Sequence, residues 1–128
     1  MMRKRRLPGR VRGRGAGEEL AIETPRGMVY AVSGEPDDEV FVVVSPEQVT
    51  LSREPPGGSA RNVFAGEVVE LLPEPPFGER IRVVIGPSPV FVAEVTAPAA
   101  ARMHLTAGAR VHASFKATSV TVHSQGAS

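Results

Sequence analysis

Apolar and polar residues alternate along most of this chain, which is the pattern of β-strands that bury one face. In the first part of the chain, alternation or a β-branched run predicts strands over residues 7–14, 18–24, 28–33, 40–44 and 49–52. In the second part, the same signals predict strands over residues 63–72, 81–85 and 90–95, and the last strands within 109–123. Turn-forming segments such as Pro25-Arg26-Gly27 separate these runs. The pattern therefore predicts many short strands joined by tight turns.

One segment, residues 96–105, has the composition of a helix. Thr96 can cap its first turn, and Pro98 stands where a missing N–H costs no hydrogen bond. By contrast, residues 53–58 are rich in Pro and Gly and can hold neither a strand ladder nor a helix. We therefore place an internal boundary at 53–58.

Composition supports a mainly all-β fold. The chain has 128 residues, of which 12 are Pro and 13 are Gly, and it has no Trp. The absence of Cys excludes disulfides and thiolate metal sites. No apolar run has the length of a signal-peptide core or a membrane span, so we expect a cytoplasmic location without membrane insertion.

The net charge of +1 hides an asymmetry between the N-terminus and the remainder. Residues 1–14 form a basic arm, which overlaps the start of the first strand and carries seven positive charges before the first acid, Glu18. Such an arm can attract nucleic acid, but it has no interleaved aromatic residue for base stacking. A solvated chain end is the better explanation, so nucleic acid is not the favoured partner.

The two parts of the chain have similar sequence patterns, which indicates an internal repeat. Residues 7–11 align with 64–68 around a shared Gly-x-Val core, and residues 44–51 align with 115–122. The second copy is longer, mainly by the predicted helix. We predict tandem OB-like β-barrels, with a first half at 7–52, a linker at 53–58 and a second half at 59–124. Each half is too small for us to expect a stable domain alone, so we expect the two to pack together.

Polar residues with anion-binding chemistry stand at both ends of the second half. Hydroxyl groups, positive charges and backbone N–H groups can together hold a small anion. If a barrel brings its first and last strands together, these residues converge on one site. The candidates are Ser59, Arg61, Lys116, Ala117 and Thr118. Each alone also fits an ordinary structural role, such as a turn former or an exposed edge-strand charge.

Four phrases of this half carry a family resemblance: Ser59-Ala60-Arg61-Asn62, Val63-Phe64-Ala65-Gly66-Glu67-Val68-Val69, Ala93-Glu94-Val95-Thr96 and Phe115-Lys116-Ala117-Thr118-Ser119-Val120-Thr121-Val122-His123. They resemble a molybdate-binding TOBE domain of the Mop type. The resemblance implies a molybdate or tungstate ligand without a covalent cofactor, held by the side chains of Ser59 and Lys116 and by backbone N–H groups near Arg61 and Ala117. It also implies a homo-oligomer, at least a dimer, with the site shared between subunits.

The first half resembles the start of the regulatory region that follows the ATPase domain of molybdate and tungstate importers, through residues 43–52. The leading hypothesis is therefore an oxyanion sensor domain of such an importer, with transporter ATPase or permease subunits as further partners. The chain has no Gly-x-x-x-x-Gly-Lys-Ser/Thr loop for ATP. The alternative is a stand-alone storage protein of the molbindin type, and an OB-type nucleic-acid binder comes third.

No enzyme or metal site is expected. Paired acids such as Asp37-Asp38 have no nucleophile or base beside them, and surface charge explains them better. The three histidines, His104, His112 and His123, fall on different predicted elements without a closely spaced partner. Solvated or packing roles explain them better than metal binding.

Overall fold

A computed structural model describes residues 6–14, 19–32, 34, 38–58 and 62–126. Within these residues the chain forms ten β-strands, one α-helix and two 3₁₀ helices. The strands are β1 (Arg6–Arg14), β2 (Leu20–Thr24), β3 (Gly27–Ala31), β4 (Glu39–Val44), β5 (Thr50–Ser52), β6 (Asn62–Pro73), β7 (Arg80–Gly86), β8 (Phe91–Thr96), β9 (Arg110–Phe115) and β10 (Val120–Ser124). The helix α1 is Ala97–Arg102, and the 3₁₀ helices are Pro46–Gln48 and Ala117–Ser119.

The strands form two five-stranded sheets, and each sheet takes one strand from the other half of the chain. One sheet has the order β10-β4-β1-β2-β3, and the other has the order β5-β9-β6-β7-β8. Strand β5 thus leaves the first half to pair with β9, while β10 leaves the second half to pair with β4. The two halves exchange their closing strands.

The register shows that the two halves are copies of one unit. Pairing of Arg6 with Val43 in the first sheet corresponds to pairing of Val63 with Ser114 in the second. Each first strand also has a register shift at the same place, between Val11 and Gly13 and between Val68 and Glu70. The expected mainly β fold of tandem OB-like barrels with one short helix is confirmed.

Apolar side chains from both halves join one core. Ile22 and Val29 of the first half and Val83 and Ile85 of the second are fully buried and belong to the same cluster. Three phenylalanines of the second half pack in this cluster with ring centroids 5.1–5.9 Å apart; they are Phe64, Phe91 and Phe115. A shared core of this kind means that neither half buries its apolar face alone.

The helix and the 3₁₀ helices refine the sequence prediction. The predicted cap is confirmed, because the Thr96 hydroxyl accepts a hydrogen bond from the Ala99 N–H at 3.2 Å. The helix ends at Arg102 rather than at residue 105, and His104 after it has a positive φ of 53°. Residues 117–119 were expected to continue a strand, but they form a 3₁₀ turn, which lets the chain leave one sheet and enter the other.

The basic arm is partly built into the fold. Residues 1–5 lie outside the described residues, whereas Arg6–Arg14 form β1. Arg10 lies 3.4 Å from the Glu39 carboxylate, and the Arg12 Nε donates to Glu23 at 2.8 Å. These pairs are exposed, so each contributes at most about 1 kcal/mol, but they show that part of the basic charge is matched by acids on neighbouring strands.

Arg26 ties the first half to the second by polar contacts. Its guanidinium donates to the backbone carbonyls of Ala65, Gly86, Pro87 and Pro89 at 2.8–3.4 Å. The same group lies 4.9 Å from the centroid of a core phenylalanine ring. Partial burial lowers the pKa of Arg26 from its ordinary value, and the carbonyl oxygens replace the water that burial removes.

Two glycines hold the equivalent strands of each half close together. A Cβ on Gly66 would lie 2.5 Å from Ile85 Cγ2 and 2.6 Å from the Gly86 carbonyl oxygen. A Cβ on Gly9 would lie 2.6 Å from Ile22 Cγ2. The Gly-x-Val repeat in the sequence is therefore a packing requirement at both positions.

Substitution of either glycine tests this requirement. We expect Gly66→Ala to lower the free energy of unfolding by about 1–3 kcal/mol, because the added methyl group must displace backbone. Gly9→Ala should have an effect of the same sign. Gly57→Ala is the control, since a Cβ there meets nothing within 4 Å. Chemical denaturation measures all three, and a Gly66→Ala protein as stable as Gly57→Ala would contradict the packing argument.

Candidate functional site

Lys116 stands at the junction where the chain passes from one sheet to the other. It follows β9 with an extended backbone, φ −80° and ψ 151°, and its carbonyl accepts a hydrogen bond from the Ser119 N–H at 2.9 Å. The residue is exposed. The 3₁₀ turn therefore fixes the backbone from which this cationic side chain projects.

A polar cleft of about 430 Å³ surrounds this position. The second half contributes Ser114, Phe115, Lys116 and Ser119, the first half contributes Gln48 and Thr50, and Gly57 comes from the segment between them. Hydroxyl groups, one amide and one ammonium group are the donors on these side chains. The cleft can therefore offer several neutral donors and one positive charge to a ligand.

The exchange of closing strands explains how residues of the first half reach this cleft. Strand β5 pairs with β9 so that Thr50 stands opposite Ser114. Directly opposite residues on paired strands place their side chains on the same face. Gln48 ends the 3₁₀ helix just before this strand, and its N–H donates to the Ser45 carbonyl at 2.9 Å.

The positive charge of Lys116 is not neutralised within the described part of the chain. Among those residues no carboxylate lies within salt-bridge distance of it, whereas Arg80 has Glu94 at 3.1 Å and Arg82 has Glu74 at 2.8 Å. The hydrogen bond from Arg82 is the main reason that the pKa of Glu74 lies below its ordinary value. Lys116 thus has its charge available for a ligand.

The other predicted site residues take different places. Ala117 is buried, and its carbonyl accepts a hydrogen bond from the Val32 N–H at 3.4 Å. Thr118 is exposed and does not line the cleft, whereas the neighbouring Ser119 does. Ser59 and Arg61 lie outside the described residues.

Asn62 fixes the start of β6 beside the cleft. It pairs with Phe115, the residue before Lys116. Its side chain is 1% exposed and forms two hydrogen bonds across the halves, accepting from the Tyr30 N–H at 2.8 Å and donating to the Tyr30 carbonyl at 2.9 Å. The strand that follows the Ser-Ala-Arg phrase is therefore held beside the end of β9.

Gln48 and Thr50 line the cleft but were not among the predicted site residues. Two signals in the sequence touch them: the resemblance through residues 43–52, and the internal repeat, which aligns Gln48 with Ser119 at the ends of the two 3₁₀ helices. The repeat shows equivalent positions, but it does not show that strands are exchanged. Only the pairing of β5 with β9 brings both positions to one cleft.

The histidines do not form a metal site in the described residues, where no group of three or more His, Asp or Glu side chains could hold an ion. His104 follows α1, His112 lies on β9 and His123 lies on β10. Among the residues that the structure describes, the buried Nδ1 atom of His112 has no hydrogen-bond partner. In the part of the chain covered by the structure, no helix is long and apolar enough to cross a lipid bilayer.

Comparisons with known proteins agree with this architecture. A family model described as the TOBE domain matches residues 58–122. A solved structure of the cytoplasmic molybdate-binding protein ModG, in a form with molybdate bound, has a TM-score of 0.82 and 22% sequence identity to this chain. That match covers 97% of this chain and 98% of the ModG chain, and it shows the same fold. A search of curated proteins finds no match.

Removal of the Asn62 amide tests how the start of β6 is held. We expect Asn62→Ala to lower the free energy of unfolding by about 2–4 kcal/mol, because it removes the two buried hydrogen bonds that the amide forms with the Tyr30 backbone. Val69→Ala is the control, since Val69 lies on the same strand and is 56% exposed. Urea denaturation of both variants gives the comparison. Equal midpoints for Asn62→Ala and Val69→Ala would show that the two hydrogen bonds add no stability.

Proposed function

The chain belongs to the TOBE domain family, and from this premise we propose that it binds molybdate or tungstate without chemical turnover. The observation that carries the proposal is Lys116, an exposed ammonium group without a carboxylate partner among the described residues, beside a polar cleft. This lysine lies within the segment that the family model matches. ModG, which has the same fold, is a molybdate-binding protein.

The chemistry of the ligand explains the donor set. A tetrahedral oxyanion with two negative charges has four oxygens that only accept hydrogen bonds, so its site must replace lost hydration with N–H and O–H donors and positive charge. We propose that Ser59 and Arg61 join Lys116 at the cleft. We propose further that Ala117 supplies a backbone N–H donor and Thr118 a hydroxyl donor, both from the 3₁₀ turn. The pairing of Asn62 with Phe115 supports this arrangement, because it joins the two chain segments that carry these residues.

A free-standing oxyanion-binding protein is the better supported form of this function. The likeness extends over 98% of the ModG chain, which itself is a cytoplasmic molybdate-binding protein. The leading hypothesis from the sequence, a regulatory domain of an importer ATPase, has less support, because the ModG structure that covers nearly the whole chain is that of a molybdate-binding protein. We propose a cytoplasmic protein that holds molybdate or tungstate in store, and no transporter subunit is needed for that role.

We further propose that the protein is a homo-oligomer with the oxyanion site at a subunit interface. The cleft is open and has more room than a four-oxygen anion needs. Beside it, Val63 pairs with Ser114 and keeps 39% of its surface exposed. A second subunit that covers this apolar group would also close the cleft, which strengthens the charge interaction with the anion.

Titration calorimetry with sodium molybdate and sodium tungstate tests the binding step. We expect binding to the wild-type protein and a rise in melting temperature with ligand concentration, since a ligand that binds only the folded state stabilises it. Lys116→Met should weaken binding by about 10- to 100-fold, because a charge-assisted hydrogen bond contributes about 1.5–3 kcal/mol.

Two control variants distinguish the loss of a contact at the site from a change in the net charge of the protein. Lys116→Arg keeps the charge and should retain more affinity than Lys116→Met. Arg102→Met removes an exposed positive charge from the end of α1 at a residue that does not line the cleft, and should bind as the wild type does. No heat and no thermal shift with either oxyanion, or full affinity in Lys116→Met, would refute the proposal.

A further inference from the structure

Gln48 and Thr50 are the two side chains of the first half that line the Lys116 cleft, and they lie outside residues 58–122, which the family model matches. We propose that both contact the bound oxyanion, so that the site of the second half is completed by the closing strand of the first. This inference rests on the proposed function. It adds two binding residues and makes the strand exchange a requirement for the site.

The backbone around Gln48 is held in place before any ligand arrives. Its N–H donates to the Ser45 carbonyl at 2.9 Å, and the next residue, Val49, donates to the Pro46 carbonyl at 3.2 Å. Pro46 is buried and has a restricted φ. Because Gln48 is exposed at the end of this short turn and lines the cleft, these backbone contacts set the position from which its amide can reach a ligand.

Thr50 is placed by the sheet itself. Its register opposite Ser114 puts two hydroxyl groups on neighbouring strands at the same face. Thr50 is exposed, while Ser114 is 6% exposed. A hydroxyl group can turn to donate to an acceptor that arrives in the cleft, so this row of hydroxyls suits a ligand that only accepts hydrogen bonds.

Neutral donors such as Gln48 and Thr50 complement the single positive charge of Lys116. One ammonium group cannot satisfy four oxygen atoms that carry two negative charges. The amide of Gln48 provides two N–H donors and no net charge. A carboxylate of the same shape at this position would provide only acceptors and would repel a nearby ligand, so Gln48→Glu reports on proximity. The neutral variants Gln48→Ala and Thr50→Val report on the loss of a direct hydrogen bond.

The experiment is oxyanion titration of Gln48→Glu, Gln48→Ala and Thr50→Val with molybdate. We expect Gln48→Glu to weaken binding at least about tenfold, and Gln48→Ala and Thr50→Val each by about three- to tenfold, as for the loss of one neutral hydrogen bond. Thr106→Glu is the matched control, because it adds the same charge at an exposed loop residue outside the cleft. Its affinity should stay within about twofold of the wild type.

The outcomes separate this inference from the proposed function. One outcome is that the wild type binds molybdate, Lys116→Met does not, and all three variants bind with the same affinity as Thr106→Glu. In that case Gln48 and Thr50 do not contact the oxyanion, while oxyanion binding itself stands. If wild type binds no oxyanion, both fail. Melting temperatures without ligand show whether the variants fold, and Gln48→Ala and Thr50→Val keep the test decisive should Gln48→Glu not fold.

Discussion

Each sheet of this protein is completed by the closing strand of the other half. Without β5, the β9 edge of one sheet would leave its backbone N–H and C=O groups unpaired, and without β10 the same would hold for β4. The exchange therefore joins the two halves through backbone hydrogen bonds as well as through the shared core. It also carries Gln48 and Thr50 to the cleft of Lys116, so the constraint that completes the sheets also brings residues of both halves to one cleft.

Polar side chains then fix how the two halves meet. Asn62 is buried and pairs with both backbone groups of Tyr30, while Arg26 reaches across to four carbonyls near the end of β7. Apolar packing alone tolerates many arrangements, whereas buried polar groups are stable only when their partners are in place. These contacts select one arrangement of the halves. They matter for the site because Asn62 follows directly on the Ser-Ala-Arg phrase.

Much of the fold could be predicted from the sequence, because alternation of apolar and polar residues reports which face of a strand is buried. The Gly-x-Val repeat at Gly9 and Gly66 also revealed the duplication. Alternation says nothing about which sheet a strand joins, so the exchange of β5 and β10 was not predictable. The 3₁₀ turn at 117–119 was missed because three residues carry no period of their own. Lys116 was therefore predicted as a site residue from its chemistry, whereas the place of Gln48 in the same cleft was not predicted.

The two junctions between sheets have the same backbone but different chemistry. Lys116 and Ala117 begin the 3₁₀ turn of the second half, whereas Ser45 and Pro46 begin the turn of the first. Proline has no N–H to offer an anion and serine has no charge. Duplication thus supplied two equivalent places, and the sequence equips one of them with a cation. The first half places the neutral amide of Gln48 in the same cleft, so residues of both halves line the place where the cation stands.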